Sequence, residues 1–528
     1  MSVPIPALDA SPGPAEVEEA DATAEPPFEP EGSASGWPHR LSPPMPADGL
    51  WGWLGPLLVT LLAGVLRFSR LSVPKTRIFD ETYYAKDAWS LLHHGVEVDK
   101  GVGEFVAHPP LGKWAIALGE AAFGNNSFGW RFSAAVAGTL AVLMLARIAR
   151  RLFRSTLLGC LAGLLLAVEG LAFVQSRTSM LDIFLMVWVL AAFGCLLLDR
   201  DASRIRLGQL GAGERPCGRG PRLGVRWWRL GAGVCLGAAC ATKWSGLYFL
   251  VAFAAMALWW DISARRAMGV RRPLRAALVR DAPALFASVA LLAAAVYTAS
   301  WTGWFLGNGH NAYGHDTYVR VGQPTLQHTV AVVHGWVRYQ VDVWRFHDTL
   351  TAHHPYQSHP IGWLLLARPV SYYYVGSKLD VGGCAAAGGC TREILAIGTP
   401  LIWWSSIAAL LATAWTWISR RDWRAGAILL ATAAGIVPWA YYDLQRRTEF
   451  LFYALPSVPF LILALTLCAG LVLGPRDARQ GRRTLGAVFV GGYLVAVLVN
   501  FWYCFPILTA QLLPYAQWRH LMWFGSWI

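Results

Sequence analysis

Two adjacent carboxylates, Asp80 and Glu81, stand among aromatic residues in "RIFDETYYAKD", Arg77 to Asp87. A carboxylate held beside a hydroxyl can act as a general base. Cations recur at a related kind of place, the ends of apolar runs: Lys113, Arg131, Arg177, Lys243, and Arg446 with Arg447 in "QRRTEF". Basic groups held at a bilayer surface beside helix ends suit a phosphate. Base and cations together describe a site for a lipid-linked phosphate donor and a hydroxyl acceptor. His108 in "HPPLGKW" and Asp182 in "QSRTSMLD" extend the cluster, with Tyr83 and Trp244 as aromatic support.

Each of these residues also has a plainer role. Asp80 could cap the helix that opens at "DETYY". Glu81 could pair with Lys86 or stay solvated. Arg131 and Lys243 could snorkel to lipid headgroups. His108, before two prolines, could be structural. Asp182 enters an apolar run, where a carboxylate needs a partner; Arg177 is the nearest candidate. The run from His347 to Pro360 is rich in histidine, but its spacing fits no compact zinc site. No metal site is therefore assigned, and spacing gives no support to a divalent ion on Asp80, Glu81 or His108. The chain has neither GxxxxGK[ST] nor HExxH, so no nucleotide-driven or zinc-peptidase chemistry is implied.

The elements that must position these residues are membrane helices. Of 528 residues, 55% are hydrophobic and only 15% charged, and the mean hydropathy is +0.40; soluble domains average about 25% charged. Apolar runs begin near Gly52, Trp130, Thr156, Ser179, Leu230, Gly246, Ala282, Leu395, Ala425, Glu449 and Leu485. They predict an all-α integral membrane protein of about eleven spans, the run from Leu230 to Thr242 being the shortest. The net charge of +13 resides largely in short loops, which points to topology and anionic lipid rather than nucleic acid.

Five loops are strongly basic: Arg147–Arg154, Arg200–Arg229, Arg265–Arg280, Arg420–Arg424 and Arg476–Arg483. All five fall on the cytoplasmic side if the N-terminus is cytoplasmic and His108–Gly124 is an interfacial helix rather than a span. The acidic pair then lies on the outer face. Residues 1–48 read as a disordered cytoplasmic tail without a cleavable signal. Residues 49–301 form an N-terminal transmembrane module with an outer loop at 72–129. Residues 302–393 form a second, larger outer loop, and 394–528 a four-helix module. In "GGCAAAGGCTRE", Cys384 and Cys390 suit a small disulfide if that loop lies outside the cytoplasm.

Several segments resemble the bacterial, actinobacterial-type protein O-mannosyltransferases. They are "RIFDETYYAKDAW", "HPPLGKW", "GWRFSAAVAG", "SRTSMLDIFLM", "TKWSGLYFL", "HPYQSHPIGWLLLARPVSYYY", "RTEFLFYALPSVPF" and the closing "PYAQWRHLMWFGSWI". Their order and number along nearly the whole membrane part make the match specific. The resemblance implies a GT-C glycosyltransferase fold with interfacial helices on the outer face of the cell membrane. It implies a polyprenyl-phosphate mannose donor, a Ser or Thr acceptor in a protein emerging there, inversion at the anomeric carbon, and no required cofactor. By the same resemblance Asp80 is the base, and Glu81 orients the acceptor or the sugar. Arg131 stabilises the loop or the phosphate. Lys243 and Arg447 meet the lipid phosphate, with Lys113 and Arg177 as further candidates. One departure is plain: the 302–393 loop has no room for the MIR domain of the fungal and animal enzymes, and it reads as helical and aromatic. Two other readings stay open, a GT-C enzyme that modifies lipid or polysaccharide with another polyprenyl-phosphate sugar, and a transporter or non-catalytic membrane protein.

Overall fold

The computed structural model describes residues 45–210, 218–306, 312–314, 325–475 and 477–528. Most of the expected N-terminal tail and parts of the 302–393 loop lie outside the described residues. The helices in chain order are α1 (Trp51–Phe68), α2 (Glu81–His94), α3 (Leu111–Phe123), α4 (Gly129–Phe153), α5 (Thr156–Ala167), α6 (Gly170–Gln175) and α7 (Leu181–Leu210). Next come α8 (Trp227–Thr242), α9 (Gly246–Ala267), α10 (Pro273–Arg280), α11 (Ala282–Ser300, with a π-helical stretch), α12 (Thr302–Leu306) and α13 (Thr325–Asp348). The last are α14 (Pro400–Arg420), α15 (Trp423–Leu444), α16 (Leu451–Leu473, opening as a 3-10 turn), α17 (Gln480–Leu508) and α18 (Tyr515–Leu521).

Nine of these, among the described residues, are long and apolar enough to cross a membrane. The chain is thus a multi-pass membrane protein. The two other runs expected to span are shorter. The run from Thr156 breaks at Val168–Glu169 because the Glu169 carboxylate captures the N–H groups of Leu171 (3.1 Å) and Ala172 (2.6 Å) and starts α6 afresh. The indole of Trp403 donates to the same carboxylate at 2.8 Å; this tryptophan sits at the end of an apolar run but is fully buried, not interfacial. The second short run, α8, has 16 residues.

The segment His108–Gly124 contains α3, whose 13 residues reach about 20 Å against a hydrocarbon core of about 30 Å. Pro110 sets its first turn. Gly112 lets it rest on the start of α7 and the end of α8: a Cβ there would lie 2.8 Å from Leu181 and 2.9 Å from Thr242. The 302–393 loop is not wholly helical as expected. Strand β3 (Val370–Ser377) pairs antiparallel with β4 (Cys390–Ala396), and β4 pairs with β5 (Leu513–Pro514). "VSYYYVGS" and "CTREILA" carry the β-branched and aromatic residues that favour a pleated, half-buried surface. The register of β3 shifts between Ser371 and Tyr373, leaving Tyr372 as the extra residue of a bulge. Cys384 and Cys390 are disulfide-bonded across the turn between β3 and β4. Two short strands, β1 (Val98–Asp99) and β2 (Val102–Gly103), form a hairpin beside α2.

Part of the core is built where α7, α9 and α16 meet. Phe193 packs on Phe253 and Phe460 at centroid distances of 5.8 and 5.2 Å, and all three rings are buried. Small residues let backbones approach, as membrane helices require. The beginning of α7, the end of α8, α2, α3 and the start of α16 gather around one recess, described next.

Candidate active site

The recess begins with a tight turn. Phe79 has a left-handed φ of +47°, and α2 starts immediately after it. Glu81 is fully buried. Its Oε1 accepts from Arg131 Nε (2.7 Å) and the Ser179 N–H (3.0 Å), and its Oε2 accepts from Arg131 Nη2 (2.8 Å) and the Ile78 N–H (3.1 Å). That uses the carboxylate's accepting capacity. Arg131 also donates from Nη1 to the carbonyls of Leu71 (3.2 Å) and Pro74 (2.8 Å), and from Nη2 to that of Thr76 (3.1 Å). All five guanidinium N–H groups are committed. Arg131, expected at the loop or the phosphate, therefore ties the loop to α4 and has no donor left for an anion. The pairing of Glu81 with Lys86 does not occur; Lys86 meets Glu104 at 2.7 Å.

Asp80 occupies the N-cap position of α2 yet makes no capping hydrogen bond with its side chain. It points instead toward Tyr84, whose hydroxyl lies 3.5 Å from Oδ2. The carboxyl is partly exposed. Burial by its surroundings pushes its pKa up from 3.8 to about 6; Lys243 opposes this shift and Asp182 adds to it. Asp182 is not paired with Arg177. Its oxygens lie 2.9 and 3.0 Å from Lys243 Nζ, and both residues are buried. The ammonium also sits 4.4 Å from the centroid of the Tyr453 ring and 5.7 Å from that of Phe452.

Arg447 closes the other side. Its Nε donates to the His347 carbonyl at 3.0 Å, and Nη2 lies 3.4 Å from His347 Nδ1. The guanidinium faces the rings of Trp439, Tyr442 and Tyr453 at 5.5 to 5.8 Å. It is half-buried and forms no ion pair among the described residues. His347 Nε2 lies 2.8 Å from the Ala107 carbonyl, so that nitrogen carries the proton and Nδ1 presents its lone pair. Burial pulls the His347 pKa down to about 4 and holds His108 well below the usual histidine range. Both rings are neutral at pH 7. They stack at 5.3 Å, and His108 Nδ1 is buried without a hydrogen-bond partner. Trp244 packs 6.1 Å from His347 and donates to the Tyr297 hydroxyl at 2.9 Å.

Three other expected site residues lie elsewhere. Lys113 is buried against Glu97 and lies 3.5 Å from Asp87, where it joins α3 to α2 and the hairpin. Arg177 donates to the carbonyls of Leu66, Arg67, Ser69 and Arg70, satisfying the C-terminal end of α1. Tyr83 is 60% exposed, whereas Tyr84, four residues after Asp80 and so one helical turn on, faces the carboxylate. That spacing is the signal that could have singled out Tyr84. His347 and Tyr453 had no such signal, since only the fold brings them to Asp80. No group of three or more His, Cys, Asp or Glu among the described residues could hold a metal. Among the described residues the recess thus offers one uncommitted carboxylate, one guanidinium outside any ion pair, an ammonium shared with Asp182, and two neutral imidazoles. It can accept a proton and balance a developing negative charge.

Comparison with known proteins gives the arrangement a context. A family model described as "Dolichyl-phosphate-mannose-protein mannosyltransferase" matches residues 57–302, and one described as "C-terminal four TMM region of protein-O-mannosyltransferase" matches 332–527. The chain is 42% identical over 494 residues to a polyprenol-phosphate-mannose–protein mannosyltransferase of Mycolicibacterium smegmatis, covering 91% of this chain and 94% of the relative. It is 35% identical over 507 residues to one of Corynebacterium glutamicum, covering 92% and 96%. The S. cerevisiae Pmt1–Pmt2 complex bound to the sugar donor has a chain of the same fold, with a TM-score of 0.70 at 14% identity over 90% of this chain and 92% of that one. An Archaeoglobus fulgidus oligosaccharyltransferase shares the fold more loosely, with a TM-score of 0.51 at 14% identity over 90% of this chain and 58% of that one. The fold is that of the GT-C glycosyltransferases, and the chain belongs to the protein O-mannosyltransferase family.

Proposed function

We propose that this enzyme transfers mannose from polyprenyl-phosphate mannose to Ser or Thr hydroxyls of proteins, at the outer face of the cell membrane, in one inverting displacement. The acceptor oxygen attacks the anomeric carbon. The bond from that carbon to the phosphate oxygen breaks, and its electron pair leaves on the phosphate. Asp80 takes the hydroxyl proton. Arg447 and Lys243 balance the charge that grows on the departing polyprenyl phosphate. The neutral imidazoles of His108 and His347 line the recess without adding charge.

One observation carries the assignment of roles. Of the two adjacent acids, Glu81 has every lone-pair position filled by Arg131, Ser179 and Ile78, while Asp80, among the described residues, meets only the Tyr84 hydroxyl at 3.5 Å. A single uncommitted carboxylate fits one displacement better than the close pair of a retaining glycosidase. The orientation rests on the basic loops, which share one side when the N-terminus is cytoplasmic and the two shorter runs, α5 with α6 and α8, also cross. The test is transfer of label from polyprenyl-phosphate [14C]mannose into a Ser/Thr-rich peptide by purified enzyme in bilayer nanodiscs. Label in the peptide, absent when its Ser and Thr are replaced by Ala, supports the proposal. Label confined to lipid contradicts it.

A further inference from the structure

Two backbone irregularities meet beside Asp80. Phe79, the residue before it, has a φ of +47°, a region that a bulky side chain rarely enters. Tyr372 is the extra residue of the β3 bulge, and bulges re-aim side chains. The two rings stack on each other, with centroids 4.6 Å apart and planes 13° apart. Phe452 and Phe450 present edges to Phe79 at 5.9 and 6.5 Å. Tyr372 is itself fixed: it is buried, and its hydroxyl accepts from Gln175 Nε2 at 2.7 Å. Phe452 belongs to the opening turn of α16, and Phe450 lies just before it.

Asp80 (αR) and Glu81 follow Phe79 on one helical path, on which successive side chains point about 100° apart, so the left-handed turn at Phe79 sets where that path starts and which way each acid faces. Glu81 turns inward to Arg131, and Asp80 turns to Tyr84 in the recess. The strain at Phe79 persists because rings from a different part of the chain over-determine it. We propose that Phe79, clamped by Tyr372, Phe450 and Phe452, is a positioning residue that aims the Asp80 carboxylate at the acceptor hydroxyl. The base then comes from the N-terminal half of the chain and its direction from the C-terminal half. This rests on the reading of Asp80 as the base.

The experiment compares kcat and donor KM for Phe79→Ala, Tyr372→Ala, Tyr372→Phe and the double Phe79→Ala/Tyr372→Ala, with Asp80→Asn in the same nanodisc preparations. A displacement of about 1 Å at a reacting group costs on the order of 100-fold in rate. Phe79→Ala and Tyr372→Ala are expected to lose kcat by roughly 10- to 100-fold, with donor KM changed by less than about threefold. Tyr372→Phe keeps the ring and restores most of kcat. The double variant falls no further than the worse single one, because both remove one clamp. If Phe79→Ala is not recovered folded, Phe452→Ala, which removes one edge contact, is read the same way. A kcat for Phe79→Ala within twofold of wild type overturns the proposal. So does a loss confined to KM, a Tyr372→Phe as slow as Tyr372→Ala, or a double variant whose losses multiply. If Asp80→Asn is inactive while the clamp variants match wild type, only the clamp fails; if Asp80→Asn is active, the base assignment itself fails.

Discussion

Replacing Arg131 by Ala separates a structural arginine from a phosphate-binding one. The side chains of Arg131 and Glu81 are each 0% exposed, and their closest contact is 2.7 Å. The guanidinium gives two bonds to the carboxylate and three to the carbonyls of Leu71, Pro74 and Thr76. Without it, the Glu81 carboxylate keeps only the Ser179 and Ile78 N–H groups in a dry site. Breaking a buried ion pair by deleting one partner costs about 3–5 kcal/mol, a large share of a typical stability of about 5–15 kcal/mol. At about 2.1 cal/mol/K of unfolding entropy per residue, the thermal midpoint in detergent should fall by about 3–5 °C. Glu81→Gln added to Arg131→Ala removes the stranded charge, so the double variant should lose less than the two single losses summed. Thermal unfolding followed by tryptophan fluorescence, alongside donor KM on the folded fraction, measures both quantities. An Arg131→Ala enzyme as stable as wild type but with a raised donor KM would refute the reasoning and return Arg131 to the phosphate.

Four further outcomes follow from the recess. Arg447→Ala should lower kcat/KM for the donor by on the order of 100-fold, with the thermal midpoint little changed, because the residue is half-buried and in no ion pair among the described residues; steady-state kinetics at varied donor concentration checks it. The rate should fall as pH drops below about 6, since burial holds the Asp80 pKa at about 6 and the protonated acid cannot accept a proton; a pH–rate profile with its midpoint near 4 would contradict this. Tyr84→Phe should slow transfer while Tyr83→Phe stays within twofold of wild type, because only Tyr84 faces Asp80; the peptide assay compares the pair directly. Asp80→Asn should leave the thermal midpoint at pH 7.5 equal to or above wild type. A carboxyl whose pKa rises on folding, here from 3.8 to about 6, loses stability as pH rises through that window, and the full penalty remains above it. The amide removes the penalty, so a lower midpoint for Asp80→Asn would count against the burial argument.

The fold was legible where hydropathy dominates. Nine long apolar helices follow directly from the composition of their runs, and the shortness of α3 agrees with its reading as interfacial rather than spanning. The break at Glu169 was not legible, because it depends on N–H groups and an indole that come together only when the helices pack. Neither was the sheet in the 302–393 loop, where β4 finds one of its partners in the last residues of the chain. Within the recess, charge type picked out the right neighbourhood but not the partners. Arg131, Arg177, Lys243 and Lys113 look alike as cations at span ends. Their separation into loop tie, helix cap, carboxylate partner and helix brace depends on which acid or carbonyl each one reaches. The pairing of Asp182 with Lys243 joins residues 61 positions apart, beyond what local spacing can show. Tyr84 was the one neighbour of Asp80 within reach of a helical periodicity argument.

The account's central claim is that Asp80, and not Glu81, removes the acceptor proton. The most direct measurement is the single-turnover rate of mannose transfer to peptide by Asp80→Asn enzyme that has first been shown to bind polyprenyl-phosphate mannose as tightly as wild type. Losing a general base slows a reaction by on the order of 10²–10⁴-fold, and the account predicts a loss in that range at unchanged donor affinity, with no acid limb left near pH 6. A rate within a few-fold of wild type would contradict it.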